Sequence, residues 1–140
     1  MGRTEGAAVL KDPFGRVYRR CSIITEGEWN FAKHCLEFRE TFFYDDGEVD
    51  TWTWATQIGA HGQYVSVEAL AGPGVIGRRL KRDYILSFKR PYKSWKGVLT
   101  PRYVTRFSPM DSQTMLKVTR ISLFGIPLGK MTGFHRRVAP

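Results

Sequence analysis

The stretch Phe38-Arg39-Glu40-Thr41-Phe42-Phe43-Tyr44 sets one carboxylate among large rings. In an extended chain residues two apart share a face, so Glu40 points wherever Phe38, Phe42 and Tyr44 point. A face that rich in rings is a core face, and a lone carboxylate there is costly unless it is paired or put to use. Three uses are open: a structural ion pair or hydrogen bond that fixes strand register, an anchor for the polar end of a ligand, and a general acid-base group. Desolvation would raise its pKa, whereas a nearby guanidinium would lower it and keep it charged. Parity elsewhere supplies the candidate partners. Arg82 alternates with Tyr84, Leu86 and Phe88, Arg120 with Leu116 and Val118, and Arg106 with Val104.

Other chemistry finds little support. There is no GxSxG elbow, no glycine-rich phosphate loop and no HExxH, so no catalytic set is assigned. His34, His61 and His135 fall in separate segments, with His61 in a turn. Cys21 and Cys35 make no CxxC and cannot build a four-ligand zinc site, so neither metal nor cofactor is expected. If the segments around Glu28 form a hairpin, these cysteines can lie opposite each other. A disulfide would then need an oxidising compartment, and two reduced, half-buried thiols are the commoner outcome.

The chain carries 22 Lys and Arg against 13 Asp and Glu. The basic residues gather in short runs between apolar segments, Arg78–Arg82, Lys89–Lys93 and His135–Arg137, which read as solvated strand ends. Lys89-Arg90-Pro91-Tyr92-Lys93-Ser94-Trp95-Lys96 interleaves bases with rings, a texture that suits nucleic acid or anionic lipid headgroups. An anionic membrane surface, with Tyr92 and Trp95 at the interface, fits a lipid carrier better than nucleic acid does.

These residues must be positioned by strands. Period-two alternation dominates, broken by turn residues every ten or so positions, the pattern of an all-β barrel or sandwich. Candidate strands are Thr4–Lys11, Arg16–Glu26, His34–Tyr44, Val49–Ile58, Gln63–Leu70, Arg82–Lys89, Lys96–Phe107, Thr114–Leu123 and Leu128–Arg137. Turns fall at Asp12–Gly15, Asp45–Gly47, Gly59–Gly62, Lys89–Pro91, Pro109–Asp111 and Gly125–Pro127. Residues Val75–Lys81 are left with at most a turn or two of helix. About nine antiparallel strands in sequence suggest an up-and-down barrel of eight to ten strands closing on itself, with a two-sheet sandwich fitting the same pattern. At Asp45-Asp46-Gly47 a two-residue turn would set Glu40 opposite Thr53. A three-residue loop with Gly47 left-handed sets it opposite Trp52, and Phe38 opposite Trp54. The second register gathers the rings on one side and is preferred.

No composition shift, linker or repeat divides the chain, so residues 1–140 read as one domain. No apolar run has the length of a membrane helix, and MGRTEGAAVLKD lacks a signal-peptide core. As given, the chain reads as cytoplasmic; a periplasmic or envelope location would need a leader upstream.

The order Glu40-x-Phe42-x-Tyr44-x-Asp46-Gly47 followed by Trp54, with Gly2-Arg3-Thr4-Glu5-Gly6, Phe14-Gly15-Arg16-Val17 and Phe124-Gly125-Ile126-Pro127-Leu128-Gly129, resembles the bacterial domain-of-unknown-function family DUF3833. The resemblance implies a lipocalin-like (calycin) barrel, with exported lipoproteins among relatives and a lipid-related role. It also implies an Arg two before the tryptophan, where this chain has Trp52, and an acidic pair near Tyr103–Phe107, where it has Arg106. Arg106 is accordingly the expected counter-ion of Glu40.

Together these readings give an all-β, lipocalin-like barrel that binds a small hydrophobic or amphipathic, lipid-like ligand without catalysis. Phe38, Phe42, Trp52, Trp54, Tyr84 and Phe88 form the apolar wall, and Glu40 with Arg82 or Arg106 forms the polar handle. The alternatives are an enzyme of lipid or fatty-acid modification on the same barrel, and a structural or adaptor barrel with a packed interior.

Overall fold

The computed structural model describes residues 2–58, 64–94 and 97–138, and among them alternation resolves into twelve strands and no helix. In order these are β1 (Gly2–Lys11), β2 (Val17–Asn30), β3 (Cys35–Tyr44), β4 (Val49–Ile58), β5 (Tyr64–Glu68) and β6 (Gly72–Leu80). They continue as β7 (Asp83–Lys89), β8 (Tyr92–Ser94), β9 (Gly97–Leu99), β10 (Arg102–Pro109), β11 (Thr114–Leu123) and β12 (Ile126–Val138). Ten of them close an antiparallel barrel in the order β1-β12-β11-β10-β7-β6-β5-β4-β3-β2, and β8 with β9 makes a separate hairpin. This is the lipocalin-like barrel expected, and it rules out the open sandwich.

Closure removes the edges that a sheet would otherwise expose. The seam runs between the first and last strands, from Arg3↔Val138 to Lys11↔Lys130. Two glycines permit it. A Cβ on Gly6 would lie 1.9 Å from the Phe134 carbonyl oxygen, and one on Gly133 would lie 2.5 Å from that of Ala7.

The barrel has two ends. One, the tip end, carries the β1–β2, β3–β4, β5–β6 and β11–β12 turns and the β8–β9 hairpin. The other carries the start of β1, the end of β12 and the β2–β3, β6–β7 and β10–β11 turns. At the β3–β4 turn Gly47 is left-handed (φ 88°) and the Tyr44 amide donates to the Glu48 carbonyl at 2.9 Å. The register is Glu40↔Trp52 and Phe38↔Trp54, that of the three-residue loop. Rings therefore pack inward in the tip half: Trp52 meets Phe88 and Tyr103 edge-on at 5.8 and 5.4 Å, and Trp54 meets Phe88 at 5.3 Å.

Several boundaries differ from the sequence expectation. Residues 75–81 are not helical: β6 runs from Gly72 to Leu80, and Pro73 is tolerated where the β5–β6 register shifts, a bulge that needs no ladder amide. The expected Lys96–Phe107 strand is two strands, β9 and β10, parted at Thr100–Pro101. The last turn is Phe124–Gly125, and Ile126 and Pro127 already belong to β12. Strand β2 runs through Gly27 and Glu28 to Asn30. The cysteines are not opposed: Cys21 pairs with Tyr44 and Cys35 with Asn30, at opposite ends of the β2–β3 hairpin, and both are buried free thiols. The Gly59–Gly62 turn, His61 within it, and Trp95–Lys96 lie outside the described residues.

Candidate functional site

Strand β3 sends Phe38, Glu40, Phe42 and Tyr44 inward, and Arg39 and Phe43 outward. Glu40 is 4% exposed. Its Oε1 accepts the Trp54 indole N–H at 2.9 Å and its Oε2 accepts from the Lys117 Nζ at 2.7 Å. Lys117 is itself buried, with its ammonium 5.4 Å from the Phe42 ring centre and 5.5 Å from that of Phe107. Burial pushes the Glu40 pKa up, but the Lys117 charge and hydrogen bond, with the Trp54 donor and in acid the His135 charge, hold it below the usual carboxylate range. The pair is ionised, and it crosses the barrel from β3 to β11.

This bridge divides the interior. Towards the termini lies a cavity of about 610 Å³, walled by Leu36, Phe38, Leu86, Phe107 and Met115. Space remains because the residues that line it from β1 and β2 include the small Thr4, Thr25 and Gly27. Glu40, Ser66 and His135 are its buried polar residues, and Ser66 is hydrogen-bonded to Thr56. His135 faces in from β12, opposite Gly6 and Met115, and its Nε2 has no hydrogen-bond partner among the described residues. The Thr25 hydroxyl is in the same condition. Burial, reinforced by the Lys117 charge and opposed by Glu40, brings the His135 pKa down to about 4, so the ring is neutral at neutral pH. Arg3, Arg79, Arg82 and Arg137 stand at the mouth.

On the tip side a smaller cavity of about 220 Å³ runs between Phe42, Trp52, Trp54, Phe88 and Lys117. A second buried charge pair closes that end. Glu68, fully buried, accepts the Leu70 and Ala71 amides at 2.8 and 2.7 Å, and the Arg90 Nε lies 3.1 Å from its Oε2. The Arg90 guanidinium also covers the Trp52 ring at 3.9 Å.

The structure thus gathers Phe38, Glu40 and Tyr84 around the large cavity and Phe42, Trp52, Trp54 and Phe88 around the small one. Arg82 does not face inward along a strand; it sits exposed in the β6–β7 turn, at the mouth. Arg106 is not the counter-ion of Glu40. It faces outward on β10 and pairs with Asp83 on β7. Arg120 is exposed as well.

The sequence reading missed Lys117 because it chose the wrong face of β11. There Leu116 and Val118 are the outward residues, and Met115, Lys117, Thr119 and Ile121 line the interior. Strand β5 inverts in the same way, with Val65 and Val67 exposed and Ser66 and Glu68 buried. The signal that could have found Lys117 is the alternation Met115-x-Lys117-x-Thr119-x-Ile121, a face of mixed polarity suited to a cavity rather than a core.

No curated protein matches the chain. The family described as a protein of unknown function, DUF3833, matches residues 1–137, essentially the whole length. The motifs carrying that likeness include Glu40 and Trp54, which meet in the hydrogen bond at the centre of the barrel. The chain belongs to the DUF3833 family.

Proposed function

We propose that the barrel is a carrier or receptor for a small amphipathic, lipid-like molecule, held in the cavity at the terminal end. The observation that carries this reading is an apolar-walled space of about 610 Å³ with an unsatisfied imidazole nitrogen at its inner end. Ligand pockets have this size and this mixture of apolar wall and few polar groups. A buried polar atom without a partner costs about 1–3 kcal/mol, which a ligand offering a hydrogen bond would recover. At the mouth, Arg79, Arg82 and Arg137 have no carboxylate partner among the described residues, and they suit an anionic headgroup left near solvent.

The enzyme alternative is less well supported. A carboxylate pinned between Lys117 and Trp54, with its pKa held down, is a weak base and no proton donor at neutral pH. A packed structural barrel would not keep such a space.

Native mass spectrometry of the purified protein should show a retained small molecule. Titration with anilinonaphthalene sulfonate, an apolar anion, should give saturable binding. Met115→Trp, which fills the cavity, should abolish that binding while the melting temperature holds. Binding unchanged by Met115→Trp would place the probe elsewhere and remove the proposal. A turnover lost in Glu40→Gln with probe binding intact would move the assignment to the enzyme.

A further inference from the structure

At the tip end two neighbouring turns hold apolar side chains out in solvent. Phe124 is 94% exposed, Phe14 83% and Ile126 64%. Phe124 has φ 51° and Gly125 φ 78°, between the paired residues Leu123 and Ile126. This is a two-residue turn with both central residues at positive φ, which asparagine, aspartate or glycine occupies with little strain and phenylalanine does not. Neither stability nor solubility explains a ring kept there, and backbone outliers of this kind gather at functional positions. The two turns are adjacent round the barrel: β1 pairs with β2 on one side and with β12 on the other.

A second observation lies just below these turns. Lys11 faces Lys130 across the β1–β12 seam, and Lys130 faces Arg120 across the β11–β12 ladder. All three are on the outer face, and none has a carboxylate partner within 4 Å among the described residues. Like charges directly opposite on adjacent strands destabilise a sheet, so this row also costs stability as it stands. The acid in the β1–β2 turn, Asp12, is taken up by Arg16 at 3.2 Å. Rings at the tip with an unneutralised basic row behind them form the pattern of a peripheral membrane contact.

We propose that the tip end docks on a bilayer surface of anionic phospholipid, with Phe124 and Phe14 entering the headgroup–acyl boundary and the Lys11–Lys130–Arg120 row meeting the phosphates. Arg120 lies four residues back from Phe124, roughly 13 Å along the strand at about 3.3 Å per residue, so the bases stay at headgroup level while the rings go in. The contact is independent of the ligand cavity, whose mouth is at the other end.

Flotation of the whole protein with vesicles tests this. Vesicles of phosphatidylcholine mixed with phosphatidylglycerol should carry the wild-type protein, phosphatidylcholine alone should carry far less, and added salt should weaken the binding. Phe124→Asn should lower vesicle affinity by about tenfold or more. Its melting temperature should be equal or higher, because asparagine accepts the turn geometry. Phe14→Ser should weaken binding comparably, and Lys130→Gln by about fivefold. Equal binding by Phe124→Asn, equal binding to both vesicle types, or no flotation of the wild type would each overturn the proposal. So would a lowered melting temperature in Phe124→Asn, which would make the ring structural, or sedimentation of the vesicle-free protein as a Phe124-dependent dimer.

Discussion

Lys117 and Glu40 form a buried ion pair, and the importance of such a pair shows most when one partner is removed. Lys117→Met keeps the volume but leaves a carboxylate buried beside rings, and should cost about 3–5 kcal/mol in urea unfolding at neutral pH. Adding Glu40→Gln should restore much of that loss, because the uncompensated charge is then gone. A double mutant as unstable as the sum of the single changes would show that the two residues act separately. His135 makes a second prediction. Its folded pKa of about 4 lies below the ordinary 6.5, so between those values the unfolded chain binds more protons than the folded one. Stability should therefore fall as pH drops from 6.5 to 4, by about 1.4 kcal/mol per unit and about 3 kcal/mol in all. His135→Gln should flatten urea midpoints across that window. Glu40, with its pKa lowered, adds a further loss only below its ordinary range near 4.5, as acid reaches the folded carboxylate.

At the level of elements, the β1–β12 seam and the β3–β4 hairpin bear most directly on the site. The seam admits no side chain at Gly6, where a Cβ would collide with the Phe134 carbonyl. Gly6→Ala should force the strands apart beside His135 and cost about 1–3 kcal/mol, read from thermal melting. An unchanged melt would mean the strands close without that contact. The hairpin was legible in the sequence because its evidence is local. Asp45-Asp46-Gly47 chooses the loop, the loop chooses the register, and the register puts Phe38 beside Trp54 and Glu40 beside Trp52. Strands β5 and β11 were not legible in the same way. On β5 Val65 and Val67 point out while Ser66 and Glu68 point in. On β11 Lys117 and Thr119 share the inner face with Met115 and Ile121 while Leu116 and Val118 point out, which departs from the rule that serves a packed core.

For the whole molecule, the last strand completes the barrel against the first, so closure depends on contacts between the two ends of the chain. Removing residues 126–138 would leave both β1 and β11 with open ladders. A chain so shortened should lose cooperative thermal unfolding and aggregate, checked by circular dichroism and light scattering. A sharp melt in the shortened chain would show that nine strands suffice.

Alternation and turn chemistry alone determined that the chain is all-β, that β3 turns Glu40 inward among rings, and that Gly47 sets the hairpin register. Those are properties of residues a few positions apart. Closure of the barrel decided the rest: that Lys117, 77 residues away from Glu40, meets it at 2.7 Å, that Arg106 turns outward to Asp83, and that His135 is left without a partner beside open space. The physical reason is that closure brings together inner faces of strands far apart in the sequence. Lys117 meets Glu40 there and Glu68 meets Arg90, so polar residues that alternation alone assigns to solvent are paired inside.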